Sequence, residues 1–387
     1  MYSAESGHTG GDPRSPGLEG SPSRWRGLTL GALILLTAVL RVWVILHYPE
    51  PDTDVAGHLG IAAALLHDPL RVAVHWVYPP GYHYYLAALL GIGVTAQGVR
   101  LLNCGLSALL PVLVWRYGES TVAPSASSSA RLAPFLAGAL CAVMPIVNLL
   151  GTSAQQETVF TILVLGAVWS IDTRRFALGG GLLAVAAMVR YEACGAIALL
   201  AGLRALGFIP PLVRRLPAPL ARACRLPLVV VLPGLAAIGG WLLAHRVADG
   251  TWLGFLRELY RYTHVQRESF HEDRWTDLIW FPVMQPYYLF GLTLPLFLLG
   301  VRRAWRDGFV VPVGIYLFLL ASYTFKCALG SGRYYESLTP FVCVSAAYGA
   351  SVVGERWRAA LPVAYGAAFA HVVRLLALSG GWMFHHR

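Results

Sequence analysis

The polar and apolar positions of this chain alternate in long blocks: apolar runs of roughly 15 to 20 residues separated by short polar, Gly- or Pro-containing breaks. Runs of that length read as helices able to cross a bilayer. Lipid leaves exposed backbone groups without partners, and the period-2 alternation of a membrane barrel is absent. The first run, Leu28–Leu46, follows Arg24 and Arg26 and has no small-residue cleavage signal, so a retained first helix is expected. Residues 1–27 are rich in Gly, Ser and Pro and are expected to form a disordered cytoplasmic tail. Thr53–Asp68 reads as a short amphipathic helix lying in the interface.

Basic breaks orient the runs. Arg204, Arg214, Arg215, Arg222 and Arg225 fall in one break, Arg302, Arg303 and Arg306 in another, and Arg356 and Arg358 in a third, so these are expected on the cytoplasmic side. Residues 47–80, 246–285 and 326–336 then lie outside, and the later spans are about 227–245, 286–301, 309–325, 337–353 and 360–379. In the middle, 82–116 and 176–208 each hold one or two crossings. Two in 82–116 would bury Arg190 and Glu192 mid-membrane, where each charge costs about 2.5–3.5 kcal/mol or more. One crossing in 82–116 and two in 176–208 is therefore expected. The predicted fold is all-α: a polytopic membrane protein of about eleven transmembrane helices, with one domain over 28–379 and a short C-terminal tail over 380–387.

Composition agrees: 56% hydrophobic, 13% charged, mean hydropathy +0.57 over 387 residues. The net charge of +10 sits largely in the breaks and reads as topology with some attraction to lipid head groups, not as nucleic-acid binding. Of the 30 basic residues only Lys326 is lysine, a bias typical of GC-rich genomes; a bacterial cytoplasmic membrane is the expected location. The six cysteines are scattered without CxxC spacing, which argues against a disulfide framework or zinc knuckle.

The chemistry-bearing residues gather in the outer segments. Asp52 and Asp54 precede or open the interfacial helix, where either can cap it or act as a base. His58 is one turn beyond Asp54. It suits orienting the carboxylate or binding a cation as well as it suits a solvated interfacial position. Gln155-Gln156-Glu157 and Arg190-Tyr191-Glu192 are expected at the same outer face. The loop 246–285 combines five arginines, six acidic residues and many aromatics, which suits a lid or acceptor surface as well as an interfacial belt.

The arrangement resembles the GT-C superfamily of membrane glycosyltransferases, in particular the protein O-mannosyltransferase and aminoarabinose-transferase branch. The matching pieces are Arg41 near the end of the first span, Asp54 with His58 and Ala62, the segment Trp76–Pro80, Glu157-Thr158-Val159-Phe160, Met188-Val189-Arg190-Tyr191-Glu192, and Gly332-Arg333-Tyr334 followed by Pro340. Two departures stand out: Val55 follows Asp54 where many members carry a second acid, and no large extramembrane domain follows the last span.

The resemblance implies inverting transfer of a sugar from a polyprenyl-phosphate donor to a lipid, glycan or protein acceptor at the outer face. It implies Asp54 as the base, with Asp52 and Glu157 as further catalytic carboxylates; no general acid is needed, because the phosphate leaves as an anion. Arg333 and Lys326 are the first candidates for the departing phosphate, with Arg190 and Arg41 behind them, and His58, Tyr78 and Tyr334 as other substrate contacts. No cofactor is required; a divalent cation held by Asp54 and Glu157 is an optional addition. The competing reading is a transporter or flippase for a lipid-linked saccharide, in which the same groups bind a head group without chemistry.

Overall fold

The computed structural model describes residues 21–48, 50, 53–75, 77–122, 127–270, 280–291, 293–328, 331–356 and 366. Asp52, Trp76, most of the expected tail over 1–27, the expected last span over 360–379 (apart from residue 366) and the tail over 380–387 lie outside these residues. Among the described residues helix is the only regular structure. Four stretches are long and apolar enough to cross a membrane: Trp25–His47, Ala96–Thr121, Asp307–Thr324 and Gly332–Gly354. Helices of this length and apolar character make the chain a helical membrane protein.

Helix α1 covers Ser21–His47 and so begins seven residues ahead of the expected Leu28 start, with Arg24 and Arg26 already helical. The Ser-Pro pair that opens it is a common way to begin a helix, because proline at the first turn forfeits no intrahelical bond. Beyond it lie α2, Thr53–His67, a 3-10 turn at Val72–His75, and α3, Gly81–Gly91. Helix α4, Ala96–Thr121, runs 26 residues, about 39 Å at 1.5 Å per residue. Thus 82–116 contains one short helix and one long one. Helix α5, Ser128–Val143, is broken at Met144 before the short α6, Pro145–Leu150, because the proline cannot continue the hydrogen-bond ladder.

Helices α7, Glu157–Asp172, α8, Phe176–Val189, and α9, Glu192–Leu206, follow with very short joints. Arg190 has extended backbone (φ −147°, ψ 142°), which ends α8 and turns the chain into α9. Two short helices, α10 (Pro210–Val213) and α11 (Ala218–Ala223), lead to α12, Leu232–Asp249, which stops at Gly250 in the left-handed conformation that glycine adopts without a Cβ penalty. Helix α13, Gly254–Phe270, lies within the expected outer loop and is strongly amphipathic. A π-helical turn at Trp280–Met284, α14 (Gln285–Phe290), α15 (Thr293–Ala304), α16 (Val310–Thr324), a 3-10 turn at Gly332–Leu338 and α17 (Thr339–Arg356) complete the bundle.

Packing is closest between α15 and α17. A Cβ on Gly300 would collide with the Ser345 carbonyl, and one on Gly349 with that of Leu296. Lipid removes the hydrophobic drive between such helices, so close approach through small residues does the holding.

Charges gather at the two ends of α7. Glu157 at its start meets Arg190, while Asp172 at its end accepts from Tyr117 and the Gly308 amide. The 15 intervening steps put these ends about 22 Å apart.

Candidate functional site

The residues 151–156 ahead of α7 are pinned from several sides. The Glu50 carboxylate accepts from Ser153 Oγ (2.8 Å) and the Ala154 amide (3.0 Å), and Arg100 donates to the Thr152 carbonyl. Asn103 donates to the Ser153 and Gln155 carbonyls, and the Tyr82 hydroxyl donates to that of Ala154 at 2.6 Å. This fixes where α7 starts. Its first residue is Glu157, a carboxylate favoured by the positive end of the helix and only 2% exposed.

A burial that deep demands a partner. Arg190 supplies it: Nη1 donates to Glu157 Oε1 at 2.5 Å, while Nε and Nη2 donate to Glu192 Oε1 at 3.0 and 2.5 Å. The three nitrogens of the fork are thereby committed to two carboxylates, a charge-assisted arrangement of high geometric specificity. Arg333 lies on the cavity side. Its Nη2 donates to Asp54 Oδ2 at 2.6 Å and its Nε is 3.5 Å from Glu157 Oε1, with side chains of Arg333 and Asp54 about one-fifth exposed. Tyr334 has both cations near its ring, Arg190 at 5.1 Å and Arg333 at 5.8 Å from the centroid.

Most of these groups face a cavity of about 490 Å3. Its polar lining includes Asp54, Tyr78, Gln156, Arg190, Glu192, Arg333 and Tyr334; its apolar lining includes Ile238, Trp241, Leu242, Leu256, Leu259, Phe318 and Phe325. One side of the wall comes from α13, whose Phe255 stacks on Tyr191 at 5.4 Å. The start of α3 comes close to the end of α8 near this wall: a Cβ on Gly81 would lie 2.6 Å from the Met188 carbonyl, so only glycine fits. Tyr78 faces the cavity as a neutral hydroxyl, since burial first and the Asp54 carboxylate second raise its pKa above the ordinary value.

The sequence thus named Asp54, Glu157, Tyr78, Arg190, Arg333 and Tyr334, and the fold brings all six together. Four other expectations need revision or stand apart. Arg41 is not at the cavity; it is buried between α1 and α4, donating to the Thr37 carbonyl, Thr37 Oγ1 and Ser107 Oγ, because a guanidinium inside a helical bundle must find local acceptors. His58 is neither solvated nor a cavity residue. It is 1% exposed, its Nδ1 2.9 Å from His83 Nε2, and its ring packs 4.5 Å from that of Tyr78, so it supports Tyr78 from behind. Lys326 has φ 60° at the end of α16, where the Lys326 and Cys327 amides bond back to the Tyr323 and Ser322 carbonyls; the wall there is made by Cys327 and Ala328. Asp52 lies outside the described residues.

The space between Asp54 and Glu157, where an optional divalent cation was placed from the sequence, is spanned by the Arg333 guanidinium. Among the described residues no group of three or more His, Cys, Asp or Glu is arranged to hold a metal.

Sequence reasoning missed two participants. Glu192 was seen only as part of a motif, yet it takes two of the three Arg190 contacts. Glu336, placed at the end of an outer loop, is fully buried and accepts from Thr158 at 3.1 Å, directly behind Glu157. The spacing of Arg190 and Glu192, too close for one helical turn to pair them, held the clue that the chain must bend there. No protein-family model matches this chain, and no curated protein matches it.

Proposed function

We propose that the chain is an inverting glycosyltransferase of GT-C type that moves a sugar from a polyprenyl-phosphate donor to an acceptor hydroxyl at the outer face of a membrane, in bacteria the cytoplasmic one. The observation that carries this reading is the mixed lining of the cavity: a carboxylate and a partly exposed guanidinium together with many apolar and aromatic side chains. A lipid-linked sugar phosphate has the same mixed character.

The chemistry follows from these side chains. The acceptor hydroxyl loses its proton to Asp54, its oxygen bonds to the anomeric carbon from the face opposite the phosphate, and the sugar–phosphate bond breaks with its electron pair going to the phosphate oxygen. Arg333 stabilises the charge growing on that phosphate. In the resting protein Arg333 is bonded to Asp54. A donor phosphate competes for the same guanidinium, so donor binding releases the Asp54 oxygen that must accept the proton. Arg190 holds Glu157 and Glu192 in place and is a positioning residue. The reading calls for no metal, because Arg333 provides positive charge between Asp54 and Glu157.

The same reading takes the chain across the membrane eleven times, with 47–80 and 246–285 outside. Two features support it. One short helix and one 26-residue helix over 81–121 suit a single crossing, and α8 and α9 are two separate helices that meet at Arg190, as two crossings with a turn at the outer face require.

The test is release of free polyprenyl phosphate by purified protein given polyprenyl-phosphate sugar and an acceptor extract. Asp54→Asn keeps the size and should lower turnover about 10²-fold while insertion and yield hold. Movement of the lipid-linked sugar across a reconstituted bilayer without any release of polyprenyl phosphate would replace this reading with the flippase.

A further inference from the structure

At the other charged end of α7 a second cavity, about 270 Å3, opens between the start of α8, α11 and the 3-10 turn at Asp307–Phe309. Three guanidinium groups, Arg174, Arg222 and Arg225, and a single carboxylate, Asp307, line it, with Phe176 and Pro227 as apolar walls. Asp307 is already shared: Arg222 Nε donates to Oδ1 at 2.8 Å and Arg174 Nη2 is 3.7 Å from Oδ2. Among the described residues Arg225 has no carboxylate within ion-pair distance. Asp172, at the adjoining end of α7, is turned to the Tyr117 hydroxyl and the Gly308 amide. Three positive charges against one negative leave the cavity with an excess of about two, which favours an anion.

The surface beside it identifies the rest of the molecule. Leu178 and Val185 are seven residues apart on α8, hence on one face, and both are half exposed. Leu228, Val229, Leu232 and Leu235 are likewise exposed, on the turn and helix that pack against α8. This apolar strip starts within two residues of Phe176 and Pro227.

From this geometry we infer that the cavity is a binding site for an anionic glycerophospholipid, its phosphate held by Arg222, Arg225 and Arg174 and its acyl chain laid along the strip. Guanidinium forks match phosphate oxygens, and basic pockets between membrane helices are suited to anionic head groups. The inference rests on the chain being membrane-embedded and is independent of the transferase chemistry.

The experiment is native mass spectrometry of the detergent-purified full chain with phosphatidylglycerol, phosphatidylcholine of the same acyl length, or sn-glycerol 3-phosphate. Phosphatidylglycerol should stay bound in preference to phosphatidylcholine, with retention falling as salt is raised, and glycerol phosphate should bind far more weakly. Arg225→Gln lies outside the Asp307 ion pairs and should lower phosphatidylglycerol affinity about fivefold. Asp307→Asn removes the competing carboxylate and should raise it, an effect that mere loss of structure would not produce.

Equal retention of the two lipids, or unchanged affinity in both variants, overturns the proposal. Equal binding of glycerol phosphate and phosphatidylglycerol overturns the acyl-chain part and leaves an anion pocket. If Asp307→Asn does not fold, the Arg225→Gln result decides. Resistance of the parent protein to carbonate extraction from membranes tests the embedded reading separately.

Discussion

Replacing Arg333 with alanine separates the proposed transferase from a protein that only binds a lipid-linked sugar. In the resting site Arg333 makes one short charge-assisted bond, 2.6 Å to Asp54, and one long approach, 3.5 Å to Glu157. Its loss does not strand a buried carboxylate, because Glu157 keeps Arg190 at 2.5 Å and Asp54 is partly exposed. The fold should therefore survive. In the transition state the same guanidinium faces a phosphate gaining charge, where loss of one well-placed donor typically costs about 10² to 10³ in rate.

Partial exposure of Arg333 weakens its field, which places the expectation at the lower end: a fall in kcat of about 10²-fold, equivalent to about 2.7 kcal/mol. Donor KM should change much less, since the phosphate charge is smaller in the bound donor. Arg333→Lys keeps the charge but not the fork that reaches two carboxylates, and should be partly active. The assay is steady-state release of polyprenyl phosphate at saturating donor. A kcat for Arg333→Ala within about threefold of the parent, with only KM raised, would refute the argument, because uniform binding and not transition-state stabilisation would then be its role.

Arg190→Gln leaves Glu157 and Glu192 buried without their cation and should destabilise the protein by about 3–5 kcal/mol, read as a lowered thermal midpoint in detergent; an unchanged midpoint would show that Arg190 is not the clamp. His75 is held down to about pKa 4 by burial and, secondarily, by His245. The unfolded ring, with its ordinary value of about 6.5, binds the proton that the folded ring refuses, so stability should be full above pH 6.5 and decline as pH falls towards 4. The slope of the thermal midpoint over that window should flatten in His75→Gln, and an identical slope would assign it to other groups. A cysteine at exposed Thr251 should react with a membrane-impermeant thiol reagent in intact spheroplasts while one at exposed Ala218 should not; the opposite pattern inverts the orientation.

Much of the site was visible as a set of residue types. Acids and arginines are expensive inside lipid, so those that interrupt apolar runs at Asp54, Glu157, Arg190 and Arg333 stand out in one dimension. What each one does was not visible. Arg41 and Arg333 have the same side chain at a span end, yet one is spent on Thr37 and Ser107 and the other on Asp54. Lys326 stood out as the one lysine, and the fold puts it in the left-handed turn that closes α16, a backbone conformation that a lysine side chain does not favour. His58 read as polar and therefore wet, whereas the neighbouring His83 gives it a buried partner.

The hydropathy blocks by themselves determined the helical membrane class, because the cost of unpaired backbone in lipid acts on each segment separately. They also carried the break at Arg190, where a run of apolar residues could not absorb two charges. Only tertiary structure decided that residue 333 meets residue 54, that Arg190 is consumed by two glutamates, and that Arg174 and Arg222 converge on Asp307. Such pairings depend on which helix faces pack together, and that is a property of the whole bundle's shape that no single segment encodes.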